Sequence, residues 1–141
     1  MRGEFCHNEI LARRLRQVAE ECGATVHAEQ PVQVDGAVSY ADLVIRKDGQ
    51  LTVCEPEQSG RRVGNDLRKA VALGARLLLI ATPDAPTAHA CRRQLRRLPR
   101  PDANLKVIVC PLGAALEILR ATLTADRRHP TPLTPSERKE T

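Results

Sequence analysis

Aromatic side chains are almost absent from this sequence of 141 residues, which has no tryptophan and only Phe5 and Tyr40 as aromatic residues. A hydrophobic core therefore has to be built from leucine, valine, isoleucine and alanine. The length suits one domain with a single core of modest size. The scarcity of aromatics also argues against a single-strand binder that stacks bases on aromatic platforms.

Membrane segments, paired cysteines and phosphate-binding glycine loops are missing as well. No apolar run approaches the length of about 18 residues that is typical of a membrane-spanning helix, and no charged and apolar leader opens the chain. The five cysteines are odd in number and never spaced as C-x-x-C, so we expect free thiols in a cytoplasmic protein that has no membrane partner. Neither Gly-x-Gly-x-x-Gly nor Gly-Lys-Ser/Thr occurs, which argues against an unrelated α/β module such as a flavodoxin-like domain.

Positive charge is in excess, with a formal net charge of +5 and an isoelectric point near 9.3. Arg61 and Arg62 lie in a predicted loop, and a predicted helix at residues 86–98 contributes a series of arginines that no acid interrupts. That series, with the residue just beyond the helix, is Arg92, Arg93, Arg96, Arg97 and Arg100. All of these could bind the phosphates of a nucleic acid without reading its sequence. For the helix, a solvated basic face is an equally good interpretation.

Residues 41–58, ADLVIRKDGQLTVCEPEQ, predict a β-hairpin, because Asp48-Gly49 is a typical pair for a type I′ turn. A two-residue turn fixes the register of the two strands. We expect the pairs Lys47–Gln50, Arg46–Leu51, Ile45–Thr52, Val44–Val53 and Leu43–Cys54.

The same register places Asp42 opposite Glu55, and the alternation of side chains along a strand adds Glu57 to their face. Like charges that oppose one another in this way destabilise a sheet. The sequence therefore predicts either a bound cation or an acid with a perturbed pKa at this place. For Glu57 alone, a solvated acid at the end of the strand is the alternative interpretation.

The hydrophobic pattern predicts one α/β domain over residues 1–124 and a disordered, proline-rich tail over residues 125–141. Helices are predicted at residues 4–22, 62–73, 86–98 and 112–123, and strands at residues 24–29, 38–45, 50–55, 76–82 and 105–110. Residues 30–38 favour a turn or an extension at the sheet edge. Strand 50–55, the following helix and strand 76–82 predict a β-α-β crossover with parallel strands. The central sheet should therefore be mixed, an antiparallel hairpin plus this crossover, with helices on its faces.

The order α-β-β-β-α-β, with acids on the second and third strands, resembles the PD-(D/E)XK nuclease superfamily and its restriction-endonuclease-like fold. The likeness rests on the segments ADLVI at residues 41–45 and LTVCEPE at residues 51–57. It implies a nuclease that hydrolyses the phosphodiester bonds of DNA with Mg²⁺ or Mn²⁺ as cofactor. Cutting a duplex with one site in each chain would call for a homodimer.

Position by position, the resemblance makes Asp42 and Glu55 the metal-binding acids. The backbone carbonyl of Pro56 would be a further ligand, because it lies between the acidic positions. Glu57 stands where the family most often has a lysine, and it would act as an additional ligand or as a general base.

Two more residues are candidates by the same resemblance. Glu9 matches an acid that some members carry on the leading helix, and a solvated acid near the N-terminal end of that helix, favoured by the helix dipole, is the alternative interpretation. In some members the lysine comes from the helix after the motif, where Lys69 is the only lysine of this chain, although the helical pattern places Lys69 opposite the core stripe on a solvated face. Because Glu57 replaces the usual lysine, the alternative is a catalytically inactive nuclease-fold module that binds nucleic acid or assembles with proteins.

Overall fold

The computed structural model describes residues 2–99 and 104–125, which form four helices and five strands. The helices are α1 (Arg2–Glu21), α2 (Val63–Leu73), α3 (Ala85–Arg96) and α4 (Leu112–Thr124). The strands are β1 (Thr25–Val34), β2 (Ala37–Lys47), β3 (Gln50–Pro56), β4 (Leu77–Thr82) and β5 (Lys106–Pro111). Every predicted helix and strand is present, and β1 is the element whose extent differs most from the prediction.

The five strands form one mixed sheet in the order β1-β2-β3-β4-β5. Antiparallel pairing joins β1 to β2 and β2 to β3, whereas β3, β4 and β5 run parallel to one another. Helices α2 and α3 connect the parallel strands, because a parallel connection has to return along the sheet. The chain therefore has the mixed α/β architecture that its sequence predicts.

The hairpin of β2 and β3 has the predicted register. All five expected pairs, from Lys47–Gln50 at the turn to Leu43–Cys54, are present. Asp48 and Gly49 adopt φ angles of 52° and 76°, the left-handed values that a type I′ turn requires at both central positions. The turn therefore determines which residues of β2 and β3 face one another.

Strand β1 is longer than the sequence predicts. It continues through Pro31 to Val34 and pairs with the first half of β2 across a second two-residue turn, Asp35-Gly36. The prediction of a loose segment depended on Pro31, which cannot donate to a ladder. Strand β1 lies at the edge of the sheet, where a residue without an N–H group is tolerated.

The core consists of two aliphatic layers, one on each face of the sheet. On one face Val53 packs in a cluster with Leu67 of α2. On the other face Leu79 packs in a cluster with Leu15 of α1 and Leu119 of α4. All residues of β4 are buried, as expected for a strand that is covered on both faces.

One lysine joins the ends of the two helices on the second face. Lys47, the last residue of β2, donates hydrogen bonds of 2.7 Å from Nζ to the carbonyl oxygens of both Cys22 and Leu123. Cys22 directly follows α1, and Leu123 lies in the last turn of α4. A cation in this position pairs with carbonyls at helix ends that lack a partner within the helix, and it complements the helix dipoles.

Four of the cysteines, Cys22, Cys54, Cys91 and Cys110, are free thiols, in agreement with their unpaired spacing. Burial raises the pKa of Cys54, and it raises the pKa of Cys91 to about 11. These two thiols therefore stay protonated and unreactive at neutral pH.

Two sequence predictions remain, the disordered tail and the absence of a membrane-spanning segment. The predicted disordered tail falls almost wholly on residues 126–141, which lie outside the described residues, as does Arg100. Among the helices within residues 2–99 and 104–125, none is long and apolar enough to cross a membrane.

Candidate active site

Two glutamates lie at the C-terminal end of β3. Glu55 and Glu57 are two residues apart, so they point the same way along an extended chain, and their exposed fractions are only 1% and 4%. Pro56 ends the strand, and the N–H group of Glu57 donates to the carbonyl of Ala81 at 2.9 Å, which keeps the chain beside β4. The expectation that Glu57 shares the face of Glu55 is confirmed, and the alternative of a solvated Glu57 is wrong.

Helix α2 brings a third carboxylate and a lysine to the same place. Asp66 and Lys69 are about one turn apart on one side of the helix, and they are 0% and 1% exposed. One carboxylate oxygen from each of Glu55, Glu57 and Asp66 lies within 4.8 Å of the other two. These three acids, which we call the acidic cluster, are therefore close enough together to hold a metal ion.

Lys69 neutralises part of the acidic cluster. Its Nζ lies 3.1 Å from Glu55 Oε2 and 3.4 Å from Asp66 Oδ1, and it donates a hydrogen bond of 2.8 Å to the carbonyl of Tyr40 in β2. A buried ammonium without such partners would be strongly destabilising. The lysine is therefore held by three oxygens where β2, β3 and α2 meet.

The placement of Lys69 on a solvated face is wrong. That prediction assumed that the apolar residues of α2 alone mark its buried side, yet Val71 is 37% exposed whereas Asp66 and Lys69 are buried. The sequence prediction missed Asp66 altogether. The signal that could have found it is an Asp-x-x-Lys pair within one helix, directly after a strand that ends in two glutamates.

Asp42 stands beside the acidic cluster. The pairing of β2 with β3 ends at Leu43 and Cys54, and the N–H group of the next residue, Asp42, donates to Glu55 Oε1 at 3.4 Å. This contact agrees with the predicted opposition of Asp42 and Glu55. The side chain of Asp42 is half-buried, so it is the acid of this group that solvent reaches most readily.

The sheet is distorted at Asp42. The pairing of β1 with β2 skips Asp42 and Glu29, and Glu29 has a left-handed φ angle of 54°. Ala41 and Val44 belong to the same core layer, whereas Leu43 packs in the opposite one. Regular alternation would place Ala41 with Leu43, so β2 changes its facing at Asp42. A non-glycine residue with such a φ angle costs on the order of 1–3 kcal/mol, and this kind of strain is typical of functional sites.

Burial and mutual repulsion raise the pKa values of the acids. Burial raises the pKa of Glu55 well above its usual value, and Asp66 and Asp42 add to that effect against the charge of Lys69. Burial, followed by the proximity of Asp66, raises the pKa of Glu57 to about 10. Burial also raises the pKa of Asp42, although Glu55 and Lys69 oppose it. Burial lowers the pKa of Lys69, but Glu55 and Asp66 outweigh that effect and the net change is upward.

The donor atoms of the acidic cluster fit a hard divalent cation. Glu55 Oε2, Asp66 Oδ1 and Asp66 Oδ2 are buried oxygens that lack a well-directed hydrogen bond from the described residues. The first two have ion-pair contacts with Lys69, whose single charge offsets only part of theirs. Buried polar atoms without a partner are costly. Carboxylate oxygens are the ligands that Mg²⁺, Mn²⁺ and Ca²⁺ prefer, so a cation of this class would satisfy them.

Asp42 also lines an open cleft of about 510 Å³ between α1 and the sheet. Arg62, which precedes α2, lines this cleft together with Glu9, Arg13 and Arg16 of α1. The structure therefore brings Glu9 into the same cleft as Asp42, as the resemblance implies. It also places Arg13, Arg16 and Arg62 in the cleft with Asp42.

The structure divides the arginines that the sequence proposes as phosphate ligands. Arg62 lines the cleft, whereas Arg61, Arg93 and Arg97 line a separate pocket of about 220 Å³. Arg96 is exposed and lines neither of these two sites.

Arg92 serves the fold. Its Nη2 donates a hydrogen bond of 2.7 Å to the carbonyl of Val109, which attaches α3 to β5. This contact uses one of the five N–H donors of the guanidinium group, and Arg92 is exposed, so phosphate binding by Arg92 stays a prediction.

Comparison with known proteins identifies a fold and no function. No family model matches the chain, and no curated protein matches its sequence. The chain is similar to the crystal structure of AF1548, a protein of unknown function, with a TM-score of 0.52 and 12% sequence identity. The superposition covers 90% of this chain and 78% of the other. At this level of identity, the similarity supports a shared α/β fold alone.

Proposed function

We propose that this chain is a metal-dependent nuclease domain with a restriction-endonuclease-like core, which hydrolyses phosphodiester bonds in DNA. The observation that carries the proposal is the distance of 3.1 Å between Lys69 Nζ and Glu55 Oε2. In the family that the sequence resembles, a lysine beside metal-binding acids completes the site. Lys69 supplies that lysine from α2, and Glu57 occupies the strand position where the family usually has it.

Carboxylates around Glu55 would hold the metal ion. Glu55 belongs to two groupings: one with Asp42 and the carbonyl of Pro56, which the resemblance implies, and one with Glu57 and Asp66, whose oxygens lie within 4.8 Å. Hard oxygen ligands favour Mg²⁺ or Mn²⁺. When bound, an ion of this kind lowers the pKa of a water ligand and polarises a phosphate oxygen.

Lys69, Arg62 and Glu57 have separate roles in this proposal. The ammonium of Lys69 is fixed beside the acids, where it can orient the attacking water and stabilise the negative charge that develops on the phosphate. Arg62 lines the cleft next to Asp42, so it can hold the phosphate that is cleaved. Glu57, with a pKa of about 10, carries a proton at neutral pH in the metal-free protein. It is therefore a ligand that loses its proton when a cation binds.

Glu57 also favours a second candidate, a nuclease-like fold that binds nucleic acid or assembles with proteins without turnover. The lysine position of the strand is lost, and Lys69 is engaged by three oxygens, which is also how a purely structural ion pair is held. Only the first candidate hydrolyses phosphodiester bonds. Both would contact nucleic acid through the same surface.

Incubation with plasmid and with single-stranded DNA, in Mg²⁺ and in Mn²⁺, tests the proposal. Asp42→Ala and Glu55→Ala should abolish cleavage. Glu117→Ala is the matched control, because Glu117 is an exposed acid on α4, and this variant should cut like the wild type. Equal cleavage by the wild type and Glu55→Ala would place the activity elsewhere. Tight binding of DNA without cleavage would select the second candidate.

A further inference from the structure

The loop between β3 and α2 packs closely against α3. Cys91 Sγ donates to the carbonyl of Ser59 at 3.4 Å. A Cβ atom added at Gly60 would lie 2.9 Å from Gln94 Cγ and 3.0 Å from a backbone carbonyl oxygen of α3, so glycine alone fits there without a shift. These contacts fix the next residue, Arg61, at the surface of α3.

Arg61 meets two arginines of α3 in the pocket of about 220 Å³, which we call the arginine pocket. Arg93 and Arg97 are about one helical turn apart and share one side of α3. The other lining residues are Gly60, Ala90 and Gln94. No acid lines the pocket, and none of its three arginines forms an ion pair with an acid within residues 2–99 and 104–125.

Three guanidinium groups around one pocket repel one another. A pair of like charges four residues apart costs a helix about 0.2–0.5 kcal/mol. Arg93 and Arg97 gain some compensation from the dipole at the C-terminal end of α3, but Arg61 comes from a loop and adds a third charge to the same space. An anion would relieve this repulsion, and the planar fork of arginine matches the oxygens of a phosphate.

We propose that the arginine pocket binds a backbone phosphate of a nucleic-acid strand that also occupies the cleft at Asp42. The inference rests on the proposed function for one point, that the strand in the cleft is the substrate. Arg61 and Arg62 are neighbours in the chain and line the two sites, so the loop between β3 and α2 connects them and one strand can contact both. Phosphate contacts of this kind position a strand and do not read its bases.

Binding measured in EDTA tests the pocket separately from catalysis. The probe is a fluorescein-labelled oligothymidylate, and its fluorescence anisotropy is followed with the wild type and with Arg61→Gln/Arg93→Gln/Arg97→Gln over a range of salt concentrations. We expect a roughly tenfold loss of affinity at low salt, and a salt dependence whose slope is smaller by about 0.7, the value for one phosphate contact with a single strand.

The matched control is Arg14→Gln/Arg46→Gln/Arg76→Gln, which removes the same charge from exposed arginines outside the pocket and the cleft. The control should bind like the wild type. Equal losses in the two triple variants would reduce the effect to net charge and overturn the proposal, and so would unchanged binding by the pocket variant.

Two further measurements separate the pocket from misfolding and from the proposed catalysis. The pocket variant should melt close to the wild type, because its three arginines are exposed and the relief of their repulsion offsets the lost helix-dipole contacts and the exposed hydrogen bond from Arg97 to Gln94. The single loop substitution Arg61→Gln should still weaken binding if the triple variant does not fold. A selective loss of binding by the pocket variant supports the pocket even when the wild type cleaves no DNA, an outcome that removes only the proposed hydrolysis.

Discussion

Lys69 is held inside the fold by charges on two other residues. Its variant Lys69→Met should lower the free energy of unfolding by about 3–5 kcal/mol at pH 8, because removing one partner of a buried ion pair leaves the others uncompensated. The loss should be smaller at pH 5, where Glu55, whose pKa is raised, can take up a proton at less cost. Urea denaturation at the two pH values measures both effects.

The control for this prediction is Lys106→Met, which removes an exposed lysine from β5. A substitution of this kind should change the free energy of unfolding by no more than about 0.5 kcal/mol. An equal loss for Lys69→Met at both pH values would show that packing of the side chain matters there and that its charge does not.

The raised pKa of Glu57 predicts how the stability of the metal-free protein depends on pH. The folded pKa is about 10, against a usual value of 4.5, so the folded state binds this proton more tightly than the unfolded state does. The contribution to stability is then fully present below pH 4.5 and is lost as the pH rises toward 10. Thermal denaturation in EDTA should therefore give a melting temperature that falls between about pH 6 and about pH 9.

A divalent cation should reverse this trend, because a ligand has to lose its proton before it binds the ion. The increase in melting temperature on adding Mn²⁺ should grow with pH. Glu57→Gln is the control, since it cannot titrate, and it should flatten the pH dependence in EDTA. A melting temperature of the wild type that does not vary with pH in EDTA would contradict the assignment of a buried, protonated Glu57.

The residues of the site differ in how far the sequence predicts them. Asp42, Glu55 and Glu57 could be predicted because a two-residue turn and strand alternation fix which side chains meet. Asp66 and Lys69 could not be predicted in the same way, since a helical pattern assigns charged residues to the solvent side. Their burial depends on Glu55, which lies on another element, and no local pattern contains that pairing.

The helices and strands also differ in how far the sequence predicts them. The hairpin of β2 and β3 could be predicted with its register because Asp48-Gly49 carries a turn geometry of its own. The sequence predicts an end of β1 at residue 29, because Pro31 weakens a strand pattern and is acceptable only at the edge of a sheet. The left-handed backbone conformation of Glu29 occurs beside Asp42 in the folded sheet, and no pattern in the sequence around Glu29 predicts it.

The ammonium group of Lys47 joins the C-terminal ends of helices α1 and α4 by hydrogen bonds. Lys47→Met should lower the free energy of unfolding by about 1–3 kcal/mol, because two carbonyls lose a charged donor. Hydrogen exchange should also become faster in the last turns of both helices, whereas Lys106→Met should leave it unchanged. Faster exchange at one helix end alone would show that the two hydrogen bonds of Lys47 are not equivalent.

The loop after β3 depends on the absence of a side chain at Gly60. In Gly60→Ala the new Cβ would lie 2.9 Å from Gln94 Cγ, so the loop should move away from α3 and carry Arg61 with it. We expect weaker binding of the oligothymidylate probe and a lower melting temperature. Gly113→Ala is the control, because a Cβ there meets open space within helix α4 and should stabilise the protein by up to about 1 kcal/mol. Unchanged binding by Gly60→Ala would show that Arg61 does not need this loop position.

At the scale of the whole molecule, the sequence predicts a mixed α/β sheet with helices on both faces, and the structure has this architecture. Secondary-structure periods and the order of elements are enough for that result, since a strand–helix–strand succession leaves few topologies open. The function does not follow from the fold in the same way. AF1548 shares the fold at 12% identity, and a fold of this class hosts many activities.

One candidate active site lies within residues 2–99 and 104–125, and under the proposed nuclease function this predicts a product pattern. One site acts on one strand at a time, so a monomer given supercoiled plasmid and Mg²⁺ should accumulate nicked circles before linear DNA appears. Gel electrophoresis over a time course, beside analytical ultracentrifugation of the same sample, measures product and oligomeric state together. Linear DNA formed without a nicked stage would require two sites in one complex, as in the expected homodimer.

Because the ammonium beside Glu55 comes from α2, the site has a positive charge without a lysine at position 57. A lysine carried by the strand has to follow the glutamate by two residues, since only alternation brings it to the same face. Lys69 reaches Glu55 from a helix instead, so the site keeps a positively charged side chain although residue 57 is an acid. A strand position and a helix position can therefore each place a positive charge beside Glu55, and in this chain the helix does so.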